Sequence, residues 1–345
     1  MDRRTLLKST MAMAALGWVG VPSVRAATRD VIKPRRLERG MRVGLVAPSS
    51  PPREAEGVRY AIEVLQSFGF EVVEGEHLWE RNQYLAGSDQ QRADDVNRMF
   101  QRSDIDAIFC LRGGYGTSRI LPLLDYDTIR ANPKVITGFS DISGLILAIH
   151  ARTGLVTFHG PVAQQGFSDY TLAEFRKVMM EPSAPVTIAA PPPFESGEGK
   201  VESRNRLTRI MGGKARGRLI GGNLSLLTNL IGTTYEPDFQ DRILFLEDVD
   251  EAPYRIDRML TQLWLAGKLQ QLAGVALGKF SRADYDKNTF SLEEVFEQRF
   301  VPLGIPTIRG LMIGHVTDRA SVPLGISAEL DVDAGTLTLL ETAVS

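Results

Sequence analysis

The chain has 345 residues, 43% of them apolar and 24% charged, with a formal net charge of −2. That balance describes a globular protein of one large or two ordinary domains and excludes a disordered or fibrous chain. No clustered basic face points to nucleic acid, and the single cysteine, Cys110, excludes an intrachain disulfide.

Residues 1–26 read as an export signal rather than as fold. Arg3-Arg4-Thr5-Leu6-Leu7-Lys8 precedes an apolar stretch from Met11 to Val21, and Val24-Arg25-Ala26 gives a small-residue cleavage pattern. The paired arginines mark the twin-arginine route, so a periplasmic protein that folds before export is expected. The apolar stretch is too short and too rich in Ala and Gly for a membrane span. Cleavage would remove four positive charges and one negative, leaving a net charge of −5.

Strands and helices then alternate. Met41–Ala47 is a buried-type strand ending in Pro48-Ser49-Ser50-Pro51. Arg53–Ser67 has helical spacing at Ala61, Ile62 and Leu65, Gly69 closes it, and Phe70–Val73 is a second strand. Ser88 caps a helix through Arg102, with Asp89 in its first turn. Ile105–Leu111 is a third strand, followed by Arg112-Gly113-Gly114-Tyr115-Gly116 and a short helix near Thr117–Leu121. Next, Val135–Thr137 passes through Gly138-Phe139-Ser140-Asp141 into an amphipathic helix carried by Leu145, Ile146 and Ile149; Leu155–Phe158 is another strand. This alternation gives βαβ units and a mostly parallel sheet, with the loops 48–52, 112–116 and 138–141 converging beyond its carboxyl ends.

Prolines 182, 185, 191, 192 and 193 and glycines 197 and 199 mark residues 181–213 as a connecting segment. Gly217-Arg218-Leu219-Ile220 then leads into Gly221-Gly222-Asn223-Leu224 and a helix to Leu230. Ile243–Leu246 is an apolar strand ending in Glu247-Asp248, and Pro253 opens a helix with one apolar face. Val275–Phe280 is a strand, and Ala328–Val332 with Thr336–Leu340 reads as a hairpin around Asp333-Ala334-Gly335. Two domains follow: an α/β domain over 27–180 and a strand-rich one over 214–345.

The turn at Ser140 can hold a nucleophile proud of the backbone beside unpaired helix amides, or Ser140 can simply cap its helix. A serine nucleophile needs a base and an orienting carboxylate. His150 lies about three turns along the serine's own helix, and His77 sits in a polar loop. His315 follows an apolar run and Gly314, and is the preferred base; His159, at a strand end, is the reserve. For the acid, both Glu247 and Asp248 end an apolar strand, where a charge needs a partner or a site. Gly113 and Gly114 lack dinucleotide spacing but let backbone amides approach an anion. The four scattered histidines make no metal cluster, and no cofactor is expected.

These elements together resemble the LD-carboxypeptidase family of serine peptidases. The matching segments are Val46-Ala47-Pro48-Ser49, Leu85-Ala86-Gly87-Ser88 with Arg92, Arg112-Gly113-Gly114-Tyr115-Gly116 with Arg119, and Gly138-Phe139-Ser140-Asp141. Phe158-His159-Gly160-Pro161, Gly221-Gly222-Asn223-Leu224, Leu246-Glu247-Asp248 with Arg258-Met259-Leu260, and Gly314-His315 with Pro323-Leu324-Gly325 complete the set. The resemblance implies a Rossmann-like parallel-sheet N-terminal domain, a smaller β-rich C-terminal domain and an active site in the groove between them. It also implies a Ser140–Glu247–His315 triad, removal of the terminal D-alanine from murein tetrapeptide stems, and a homodimer. The Asp141 and Gly114 amides are the expected oxyanion donors, and Arg112 or Arg119 the expected holder of the substrate carboxylate. A serine amidase or esterase of other specificity, including microcin-immunity peptidases, and a non-catalytic exported binding protein are the alternatives.

Overall fold

The computed structural model describes residues 30–283 and 289–345, so the export signal expected over 1–26 lies outside the described residues. The first sheet contains β1 (Arg42–Val46), β2 (Glu71–Glu74), β3 (Ala107–Cys110), β4 (Val135–Gly138) and β5 (Phe158–His159), all parallel, in the order β5-β4-β3-β1-β2. β3 and β4 are buried at every residue. That explains their unbroken apolar runs, since helices cover both faces of such a sheet. The chain reverses direction across the sheet between β1 and β3, and open α/β sheets bind ligands at that kind of switch point. The loops leaving β1 and β3 flank it.

The second sheet is mixed. Its strands are β6 (Val186–Ile188), β7 (Thr208–Met211), β8 (Lys214–Asn223), β9 (Arg242–Val249), β10 (Gly274–Ser281) and β11 (Thr307–Arg309), with the expected hairpin as β13 (Ser327–Asp331) and β14 (Thr336–Leu339). The order is β6-β14-β13-β8-β9-β10-β11-β7, and β8 through β11 run parallel. Helices Leu224–Leu230, Pro253–Leu265 and Leu292–Phe300 accompany it.

The two halves interlock more than the sequence implies. β12 (Val322–Pro323), from the second half, pairs antiparallel with β5 and extends the first sheet. The segment 181–213 supplies two strands of the second sheet, β6 and β7, rather than lying outside both units. The two ends of the described chain are tied as well, since the Arg36 amide donates to the Ser345 carbonyl at 3.0 Å.

Helix Ile142–Thr153, expected to be amphipathic, is instead buried around most of its circumference, from Ile142 through Ile149 and at Thr153. It packs on β4 and β5 on one side and on β8 and helix Leu224–Leu230 on the other, so no broad face is left for solvent.

Candidate active site

β4 ends at Gly138, and two residues later Ser140 adopts φ +61°. A left-handed conformation costs an L-residue about 1–2 kcal/mol, and strain of this kind gathers at functional sites. Ser140 does not cap its helix. Asp141 occupies the N-cap position with no side-chain cap bond, and among the described residues the Ser140 hydroxyl accepts from no helix amide. The buried Asp141 carboxylate instead accepts from Ser49 Oγ at 2.6 Å and the Thr117 amide at 2.9 Å, while Thr117 Oγ1 donates to the Asp141 carbonyl at 2.5 Å. Asp141 thus ties its own loop to Ser49 of loop 48–52 and to Thr117, which follows loop 112–116, and the Tyr115 amide donates to Ser50 Oγ at 3.1 Å to join the other two loops.

The Gly113 backbone lies against Ser140: a Cβ there would sit 2.9 Å from Ser140 Cβ and 3.4 Å from the Asp141 nitrogen. Gly114 has φ +131°, and a side chain on it would collide with Ser50. The amides of Gly113, Gly114 and Asp141 donate to no acceptor among the described residues.

From the other sheet, β9 carries Glu247, which is fully buried. Gly314, at φ +120°, lets the following loop pass against it: a side chain there would lie 2.7 Å from Glu247 Oε2. That loop presents His315, whose Nδ1 is 2.7 Å from Glu247 Oε2. A carboxylate only accepts, so Nδ1 carries the hydrogen and Nε2 is left as an acceptor. The His315 ring packs edge-on against Phe139, with centroids 4.8 Å apart, which places it beside the residue preceding Ser140. No hydrogen bond joins Ser140 to His315 in this structure.

Burial opposes ionisation of Glu247, but the imidazoles of His159 and His315 beside it outweigh burial and hold the carboxyl down at about 2. Asp248 behaves in the opposite way: burial, with repulsion from Glu247, pushes it up to about 6. It accepts from Asn223 Nδ2 at 2.9 Å and from the Ser225 amide and hydroxyl at 3.0 and 2.8 Å. Of the two acids left open by the sequence, Glu247 faces the histidines and Asp248 anchors helix Leu224–Leu230.

The other histidines are placed elsewhere or differently. His77 Nδ1 is 2.9 Å from the buried Asp95, and His150 Nδ1 is 2.9 Å from the Leu155 carbonyl. His159 lies on the far side of Glu247, its Nε2 3.5 Å from Oε1.

Two cations were expected to compete for a substrate carboxylate. Arg119 is committed, with Nε and Nη2 each 2.8 Å from the two Asp89 oxygens. Arg112 donates to the Pro51 carbonyl at 3.0 Å and has no acidic partner among the described residues. Burial lowers its pKa, and Arg53 and Arg81 beside it lower it further.

Sequence reasoning missed Asn223 and Ser49 as parts of the site. The Asn223 amide donates to Ser143 Oγ at 3.1 Å and its Nδ2 lies 3.3 Å from Glu247 Oε1, so one residue joins the serine's helix to the acid's strand. Its sequence signals were its place after Gly221-Gly222 and its membership of the segment Gly221-Gly222-Asn223-Leu224 that carries the resemblance, neither of which gave it a role. A cleft of about 720 Å³ also opens next to His315 at Val316 and Ser281, its charged lining being Arg204, Arg206, Arg209, Lys279, Arg309 and one acid, Glu293.

Comparison with known proteins gives a consistent picture. The LD-carboxypeptidase N-terminal domain matches residues 43–160, and the LD-carboxypeptidase C-terminal domain matches 216–330. A probable murein peptide carboxypeptidase of Bacillus subtilis is 39% identical over 320 residues, covering 91% of this chain and 95% of that protein. Among solved structures, microcin C7 self-immunity protein MccF in complex with aspartyl sulfamoyl adenosine superposes with TM-score 0.81 at 27% identity, covering 91% and 100% of the two chains. The muramoyltetrapeptide carboxypeptidase from Oxalobacter formigenes gives TM-score 0.73 at 30% identity, covering 87% and 98%.

Proposed function

The chain belongs to the LD-carboxypeptidase family and is a peptidase, and from that footing we propose that it removes the terminal D-alanine of murein tetrapeptide stems with a Ser140–His315–Glu247 triad. The observation that carries the reading is the 2.7 Å contact between His315 Nδ1 and Glu247 Oε2, packed on Phe139 next to the strained Ser140.

In this mechanism His315 Nε2 takes the Ser140 proton as Oγ attacks the carbonyl before the terminal residue. Serine and base come within hydrogen-bond reach in the substrate complex, where such contacts tighten. Glu247 fixes the His315 tautomer and stabilises the imidazolium. The tetrahedral oxyanion is held by the free amides of Asp141 and Gly114, with Gly113 keeping the space beside Ser140 open. His315 then returns the proton to the leaving amine, and water repeats the cycle on the acyl-enzyme. Arg112 is the better candidate for the substrate's terminal carboxylate, because Arg119 is already bound by Asp89.

The arginine-rich cleft beside His315 suits the further free carboxylates of a stem peptide. The Arg3-Arg4 segment supports action in the periplasm, on stems of the sacculus or on released muropeptides.

The likeness to MccF favours a second reading, hydrolysis of an aminoacyl or peptidyl nucleotide analogue by the same residues. Competition between disaccharide-tetrapeptide and aspartyl sulfamoyl adenosine decides between them. The first reading predicts the larger kcat/KM for the tetrapeptide; the reverse order would replace it with the second.

A further inference from the structure

We propose that His159 is a positioning residue, a second imidazole that fixes the Glu247 carboxylate on His315. The inference rests on the triad reading above.

His159 ends β5, held between Gly138 of β4 and Val322 of β12. Its side chain is 2% exposed, and neither ring nitrogen has a hydrogen-bond partner among the described residues. Leaving such a group unpaired in the interior is costly. Its Nε2 faces Glu247 Oε1 at 3.5 Å, the oxygen that His315 does not use. The carboxylate is therefore flanked by an imidazole at each oxygen, one at the end of β5 and one on the loop between β11 and β12.

The surroundings hold the ring there. Phe139 and Phe245 pack edge-on against it, with centroids 6.1 and 5.6 Å away, and a side chain on Gly222 would come 3.4 Å from His159 Cδ2. Glu247 also faces Asn223 Nδ2 at 3.3 Å, the charge of Asp248 and that of Arg319, whose guanidinium lies 4.8 Å over the Phe139 ring. Asp248 repels the carboxylate, whereas the imidazoles, Asn223 and Arg319 favour it. An acid that must meet an imidazolium gains from donors on both oxygens, because its charge and its plane are then set before the proton moves. Since Glu247 only accepts, the nitrogen facing it bears the hydrogen, and His159 is assigned as the Nε2–H tautomer.

Two measurements test this. Nitrogen NMR of the protein carrying ¹⁵N-histidine should show His159 protonated at Nε2 and bare at Nδ1, with its signal moving in Glu247→Gln. A hydrogen on Nδ1 would overturn the proposal, whether or not any substrate is cleaved. In turnover of disaccharide-tetrapeptide, His159→Phe should lower kcat about tenfold, the scale of supporting hydrogen bonds behind a reacting group, with KM little changed. His159→Gln, which keeps a donor, should recover most of that loss, and His159→Phe should cost nothing more in a Glu247→Gln background. Equal losses in the two His159 variants, or full additivity with Glu247→Gln, would also overturn it. A wild type that leaves the tetrapeptide intact would refute the proposed reaction alone, the NMR tautomer still deciding the role of His159.

Discussion

Gly113 and Ser140 come from different strand ends yet touch so closely that a methyl group on Gly113 would lie 2.9 Å from Ser140 Cβ and 3.2 Å from its Oγ. The glycine at this position is set by that approach, not by its own backbone angles. Gly113→Ala should therefore displace Ser140 and the neighbouring Asp141 amide, lowering kcat by about two orders of magnitude, as for a lost oxyanion donor. Steady-state kinetics alongside a thermal melt checks this: activity should fall far more than the melting temperature.

The left-handed backbone of Ser140 gives a second expectation. Ser140→Gly and Ser140→Ala should both abolish turnover. The glycine variant should be the more stable by about 1 kcal/mol, because glycine adopts that conformation without the Cβ penalty. Chemical denaturation of the two variants measures the difference.

The two arginines near the site should separate cleanly. Arg112→Ala should lower kcat/KM by about 10- to 100-fold, the scale of a charge-assisted hydrogen bond to a carboxylate. It should lose much less activity on an amidated substrate, which has no carboxylate to hold. Arg119→Ala breaks its pair with Asp89 and should act mainly on stability. Kinetics with the acid and amide forms of one peptide distinguishes the two outcomes.

Glu247 and Asp248 should pull stability in opposite directions with pH. Glu247, held at about 2, stabilises the fold above the ordinary carboxylate range, and that contribution is lost as pH falls from about 4.5 towards 2. Asp248, raised to about 6, contributes stability that is present below pH 4 and lost as pH rises through 6. A rise of about two units corresponds to roughly 3 kcal/mol. Unfolding free energies measured from pH 4 to 7 should fall by that order in the wild type relative to Asp248→Asn, whose curve should be flatter.

Much of this was legible in the sequence, for physical reasons that also explain the failures. Ser88 was readable as a cap because a capping box with Gln91 forms there, and the parallel strands were readable because burial on both faces leaves unbroken apolar runs. β6, β11 and β12 have only two or three residues each. Pairing defines them, and no periodicity can show in so short a run. Helix Ile142–Thr153 misled for the opposite reason, since a helix packed on most sides keeps no polar stripe. At the site, the residues alone left Glu247 and Asp248 open, and His315 and His159. Both acids are real features of one strand end, and both histidines face the same carboxylate, so the ambiguity reflected the site itself.

The central claim is tested most directly by mass spectrometry of purified disaccharide-tetrapeptide incubated with wild-type protein and, in parallel, with Ser140→Ala. The account predicts loss of one terminal alanine residue with the wild type and an unchanged tetrapeptide with the variant. Loss of alanine with both proteins would contradict the Ser140 mechanism, and an intact tetrapeptide with both would contradict the proposed substrate.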